Sequence, residues 1–93
     1  MAKHIFTVVC DYAGGTYVSQ FEGTDPVQVA RQWIAMLRSE KPIPRSSGRI
    51  ANSLNRDLDN GLLPVALDGL ENVWQSGDLV ARYYYTATFV QSR

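Results

Sequence analysis

Apolar and polar positions alternate along two stretches of the chain and recur at helical spacing along two others, and the order of these stretches sets the expected fold. His4 to Asp11 reads HIFTVVCD, rich in β-branched and aromatic residues, with Phe6, Val8 and Cys10 on one side and Thr7 and Asp11 on the other. This is a strand whose Phe6 side faces the core. Asp11-Tyr12-Ala13-Gly14-Gly15 is a turn, its paired glycines supplying positive φ, and Thr16 to Glu22 completes a hairpin. In Thr24-Asp25-Pro26-Val27-Gln28, Asp25 is placed to cap a helix, Pro26 suits its first position, and Gln28 can close a capping box. The spacing predicts a helix from Pro26 to about Ser39 with Val29, Ala30, Trp33, Ile34 and Leu37 on one arc.

Pro42 and Pro44 end that helix. Ser46 or Ser47 can cap a shorter one with Ile50, Leu54 and Leu58 on one face and Gly61 just beyond its end, although Asn52 and Asn55 are poor helix formers. The order within 43–67 is left open between helix and loop. Leu62 to Leu67 is a short extended segment that Pro64 restricts to a sheet edge or irregular stretch. Asn72 to Gln75 and Asp78 to Gln91 read as a second hairpin about a Ser76-Gly77 loop, with Trp74 opposite Leu79. In the long last strand, Leu79, Ala81, Tyr83, Tyr85, Ala87 and Phe89 form an apolar row assigned to the core. Val80, Arg82, Tyr84, Thr86, Thr88 and Val90 form a mixed row. The expected architecture is therefore α+β, in the order ββααβββ. Its mainly antiparallel sheet has four to five strands, with one long and one short helix on one face.

A chain of 93 residues with 45% hydrophobic and 19% charged residues is one globular domain, residues 1–93, with a radius of gyration of roughly 12 Å. Nine Lys and Arg balance nine Asp and Glu, and the arginines form no run, so nucleic acid is not the expected partner. The single Cys10 forms no internal disulfide, the N-terminus carries no signal-like segment, and no apolar run reaches the roughly 20 residues that span a bilayer. The expected location is cytoplasmic, without membrane association.

The chemistry is mostly excluded. His4, the only histidine, and Cys10 stand about 20 Å apart on one strand and form no dyad. Two Cys and His residues in total cannot make a structural zinc site. Asp57 to Gly61 resembles the start of a calcium loop, but its glycine falls one place early and Pro64 interrupts it. Gly14-Gly15 lacks the residues of a phosphate loop. Carboxylate pairs stay open, because no spacing singles out an acid and a base. No catalytic residue, metal or cofactor is expected.

The mixed face carries the functional expectation. Ile5, Val9, Val80, Tyr84 and Val90 place more apolar surface there than a solvated face needs, which suggests a protein partner or a homodimer. Tyr beside Arg is typical of contact hot spots, so Tyr84, Arg82 and Val80 are the candidate partner-binding residues. The 14-residue last strand could also pair at its edge with another chain. A further helix covering the face is the structural alternative, and a small-molecule or enzymatic site at a dimer interface is the functional one.

The segment Phe6 to Leu37, with GGTYVSQ at its centre, and the stretch GLENVWQ from Gly69 to Gln75 resemble segments of small stand-alone bacterial proteins. Some of these are immunity proteins or antitoxins that block a partner. The first half also resembles the HicB-type antitoxin domain, though without that family's third strand and its proline-glycine stretch. The resemblance implies partner binding and transfers no site residues.

Overall fold

The structure, a computed structural model, describes residues 3–92. Arg93, one of the scattered arginines, lies outside them. The elements are β1 (His4–Tyr12), β2 (Gly15–Gly23), α1 (Pro26–Glu40), α2 (Ser47–Asp59), β3 (Val65–Ala66), β4 (Val73–Val80) and β5 (Tyr83–Gln91). The five strands form one antiparallel sheet in the order β2-β1-β5-β4-β3, with α1 and α2 on one face. The α+β class, the element order and the single helical layer agree with the sequence pattern. The radius of gyration is 12.4 Å.

Local chemistry accounts for most boundaries. Ala13 and Gly14 adopt positive φ of 49° and 83° and close the first hairpin in two residues. At the start of α1, the Asp25 carboxylate accepts from the Gln28 amide at 2.9 Å, and Gln28 Oε1 accepts from the Thr24 amide at 2.7 Å. All five residues of the expected arc, Val29, Ala30, Trp33, Ile34 and Leu37, are buried. Within 43–67 the chain is helical from Ser47 to Asp59 and otherwise turn, irregular or the short β3; ahead of the helix, Ser47 Oγ takes the Ile43 amide at 2.7 Å and returns a bond to the Ile43 carbonyl at 3.0 Å. Asn52 and Asn55, unfavourable for helix propensity, accept from Arg38 at 3.0 Å and Arg31 at 2.7 Å, so tertiary bonds to α1 offset that cost.

The second hairpin departs from expectation. Its loop is Ala81-Arg82, with Ala81 at φ 57°, and Ser76 and Gly77 lie in mid-strand opposite Ala87 and Thr86. Trp74 faces Phe89, and Leu79 faces Tyr84. Gly77 is needed where it stands, since a Cβ there would lie 2.6 Å from the Tyr85 carbonyl oxygen. The long last strand is therefore two strands, and a two-residue loop exchanges the faces that odd and even positions occupy. Val80 turns to the core at 5% exposure, whereas Leu79 leaves it at 54%. Tyr83 sits half out at the core's rim, edge-on to Tyr12 at 5.9 Å between ring centroids.

The core lies between the helices and the row Phe6, Val8, Cys10, Tyr85, Ala87 and Phe89. Trp33 is its centre, with ring centroids 6.4 Å from both Tyr85 and Phe89.

Candidate functional site

Two features stand out from this frame: the sheet face that no helix covers, and a cleft where that face meets α2.

Pairing register defines the open face. One row across the sheet runs Val18, Val9, Thr88, Gln75, Val65, and the next runs Gln20, Thr7, Val90, Val73. Both helices pack on the opposite side, so nothing among the described residues covers these rows. Val18, Val65, Leu79 and Tyr84 are each more than half exposed, and Ile5 is 42% exposed. The polar side chains between them bond to one another: Gln20 to Thr7 and Gln75 to Thr88, each at 3.1 Å, and Thr16 to Asp11 at 2.8 Å. Much of the polar hydrogen-bonding capacity is thus satisfied within the face, leaving an apolar surface ready to desolvate.

Charge is segregated. No Lys or Arg lies in any of the five strands, whereas Asp11 and Glu22 stand on the open face. Residues 24–60, which hold the helices, carry six Lys and Arg against four Asp and Glu. The neutral chain therefore has a basic helical layer and an acidic sheet.

Of the three candidate partner-binding residues, the structure keeps two on accessible surface. Tyr84 projects from the open face at 69% exposure, and Arg82 is exposed in the hairpin loop at the end of the sheet. Val80 is corrected: it is a core residue, and its carbonyl accepts from the Tyr12 hydroxyl at 2.8 Å. The terminal strand is no free edge either, because β5 lies between β1 and β4. The open edges are β2 and the part of β4 beyond the two-residue β3.

That free part of β4 borders a cleft of about 550 Å³ whose lining includes Leu54, Asp57, Leu62, Leu63, Asp78 and Tyr84. Asp57, in the last turn of α2, lies within hydrogen-bonding reach of Asp78 of β4. Burial first, then the Asp78 charge and hydrogen bond, raise the Asp57 carboxyl above its ordinary value, and Arg56 only partly opposes this. Asp78 is the cross-strand neighbour of Tyr85, and Ser53 lies one helical turn before Asp57. The Tyr85 hydroxyl and Ser53 Oγ are both buried on the core side of this pair, within hydrogen-bonding reach of each other. Burial, then Asp57 and Asp78, push the Tyr85 hydroxyl upward.

Sequence reading left this carboxylate pair unidentified, as its members are 21 positions apart. One signal was present: Asp57 follows Ile50 by seven and Leu54 by three, which puts a carboxylate on the apolar stripe of α2. Cys10, fully buried, has its thiol raised to about 12 by burial and then by Asp11. Among the described residues no group of three or more His, Cys, Asp or Glu side chains is placed to share a metal ion, and no helix is long and apolar enough to cross a membrane. Compared with known families, curated proteins and solved structures, the chain matches none.

Proposed function

We propose that this is a non-enzymatic protein-interaction domain of the immunity or antitoxin type, acting in the cytoplasm, which docks a partner on its open sheet face. The observation that carries the reading is the helix-free surface, on which exposed Val18, Val65, Leu79 and Tyr84 surround internally bonded polar side chains. Surfaces of this kind are interaction sites more often than solvated faces. Charge selects the partner's character. Two copies meeting face to face would bring Asp11 and Glu22 near their own equivalents, so the complementary surface is a foreign one with an apolar centre and a basic rim. A partner of that kind is what a blocking protein with an acidic docking face would neutralise.

The test has two steps. Light scattering across a concentration series should give the monomer mass, since a stable dimer would use this surface for self-association. Wild-type protein and the Val18→Arg/Tyr84→Ala double variant are then used as baits in host lysate, with Arg49→Glu on the helical layer as control. The expected result is a protein retained by wild type and control and lost with the double variant. For an isolated hot spot such as Tyr84, truncation costs about 2 kcal/mol, or about 30-fold in affinity. An identical captured set for all three baits would remove the face from consideration.

A further inference from the structure

We infer that the free edge of β2, with the groove it forms against α1, takes an extended segment of another protein as an added antiparallel strand, apolar at alternate positions and basic at one end. This edge is separate from the open face, and either surface can be occupied without the other.

The backbone of β2 is left ready for such a strand. The two-residue turn makes Tyr12 and Gly15 a bonded pair, so the odd-numbered residues of β2 bond to β1, while Thr16, Val18, Gln20 and Glu22 turn their amides and carbonyls outward. Two bonds follow this alternation: Gln32 Nε2 of α1 donates to the Glu22 carbonyl at 2.8 Å, and on the other side of β1 the Ile5 carbonyl accepts from the Ser92 amide at 2.8 Å. Among the described residues, no group bonds the outward amides and carbonyls of Thr16, Val18 and Gln20. Edge strands are usually kept short, bulged, or guarded by Lys or Pro. β2 is nine residues long, pairs with β1 without a bulge, and contains no Lys, Arg or Pro.

Beside this edge, a groove of about 480 Å³ runs between β2 and α1, lined by Tyr17 and Phe21 of the strand and by Trp33, Met36, Leu37 and Glu40 of the helix. Tyr17, Phe21 and Met36 are only partly buried against the core. Alternate side chains of a strand added to β2 fall on this helical side, where apolar ones would complete that cover. Charge decides whose strand it is. Glu40 is the one charged residue of the lining, it is exposed, and no ion pair among the described residues engages it. Because α1 leaves the Gly23 end of β2, Glu40 lies toward the Thr16 end. A second copy paired antiparallel would bring its own Glu22 toward Glu40 and has no cation in β2 to offer. A foreign strand with Lys or Arg at that end supplies the missing charge.

The experiment is an amide ¹H–¹⁵N titration of the intact protein with the peptide Val-Thr-Val-Thr-Val-Thr-Lys, blocked at both termini. Paired antiparallel, its valines and lysine face the groove and its threonine amides face β2. Saturable shifts centred on Thr16 to Phe21 and on Met36 are expected at millimolar peptide. N-methylation of the threonines should weaken binding about ten-fold, whereas N-methylation of the inner valines should leave it unchanged. Val18→Pro removes an outward amide and no bond to β1, so it should weaken the parent peptide about ten-fold with an otherwise native spectrum. Should that variant fail to fold, the two methylated peptides carry the same comparison on the wild-type protein. Glutamate in place of the lysine should lower affinity several-fold, a difference that Glu40→Gln removes. Absence of saturable shifts, shifts centred on open-face residues such as Thr7 and Thr88, or equal binding of the two methylated peptides overturns the inference. A dimer mass in light scattering with the β2 amides already protected before peptide is added also overturns it, because the edge then belongs to a second copy.

Discussion

Replacing Tyr12 with phenylalanine tests the hairpin register on which both surfaces depend. The Tyr12 hydroxyl donates to the Val80 carbonyl at 2.8 Å, joining the end of β1 to the end of β4 across 68 positions of chain. Both residues are buried, Tyr12 at 6% and Val80 at 5% exposure. Tyr12→Phe keeps the ring, and with it the edge-on contact to Tyr83, so what is lost is the bond to Val80 and a long one, 3.4 Å, accepted from part-buried Ser46 Oγ. A hydrogen bond of this kind contributes about 1 kcal/mol, and leaving a buried acceptor without a donor raises the loss toward about 2 kcal/mol. For a domain of this size that lowers Tm by roughly 4–16 °C. The assay is urea unfolding followed by the fluorescence of Trp33 and Trp74, with exposed Tyr84→Phe as control. An unchanged slope with a lower midpoint for Tyr12→Phe is expected, with the control within about 0.5 kcal/mol of wild type. A hairpin turning at Ser76-Gly77 would leave Tyr12 without this acceptor, so equal midpoints for the two variants would refute the register.

Two further outcomes follow from the titrating groups. Asp57 has its carboxyl raised above the ordinary value on folding, so its unfavourable contribution is absent when both states are protonated, below about pH 3.8. The penalty grows as pH rises through the folded pKa and is complete above it. Asp57→Asn should therefore unfold at a higher urea midpoint than wild type at pH 7 and show no such gain at pH 3; a gain of the same size at both would contradict the charge argument. Cys10 is fully buried with its thiol near 12, so a thiol reagent at pH 8 should label it only at the rate of global unfolding. Labelling that ran far ahead of unfolding would show the core opening locally around β1.

The parts of the fold legible in the sequence are those in which local chemistry and hydrophobic period agree. In α1 the Asp25 cap, the proline at its first turn and the Trp33 arc all specify one helix, and the structure has it with its end one residue further on, at Glu40. The second half was harder because two signals competed. Ser76-Gly77 carries the residue types of a hairpin loop, whereas Ala81-Arg82 does not, since alanine seldom accepts positive φ. Tertiary packing decided: the observed register buries Val80 and sets Trp74 against Phe6 at 6.0 Å between ring centroids. The strain of one Ala at positive φ is small beside the burial of those side chains. The glycine then has another purpose, close approach to the Tyr85 carbonyl rather than a turn.

The same choice of loop creates the candidate sites. Had the chain turned at Ser76-Gly77, Asp78 and Val80 would share the face of Tyr84 and Thr86, and Leu79 would lie in the core. Turning at Ala81-Arg82 sends Asp78 to the helical side, directly across from Tyr85 and within reach of Asp57, and sends Leu79 to the open side opposite Tyr84. One exchange of faces thus places a carboxylate where packing alone would favour an apolar side chain and adds a leucine to a surface already rich in valine. Neither placement serves the stability of an isolated domain. The acid pair and the uncovered apolar face are both costs to the isolated domain, and Tyr84 and Val65 belong to the cleft and the face alike. A partner docked on the open face would therefore reach the rim of the cleft, so Tyr84→Ala should weaken its capture from lysate, whereas Asp78→Asn, on the helical side of the sheet, should leave capture unchanged.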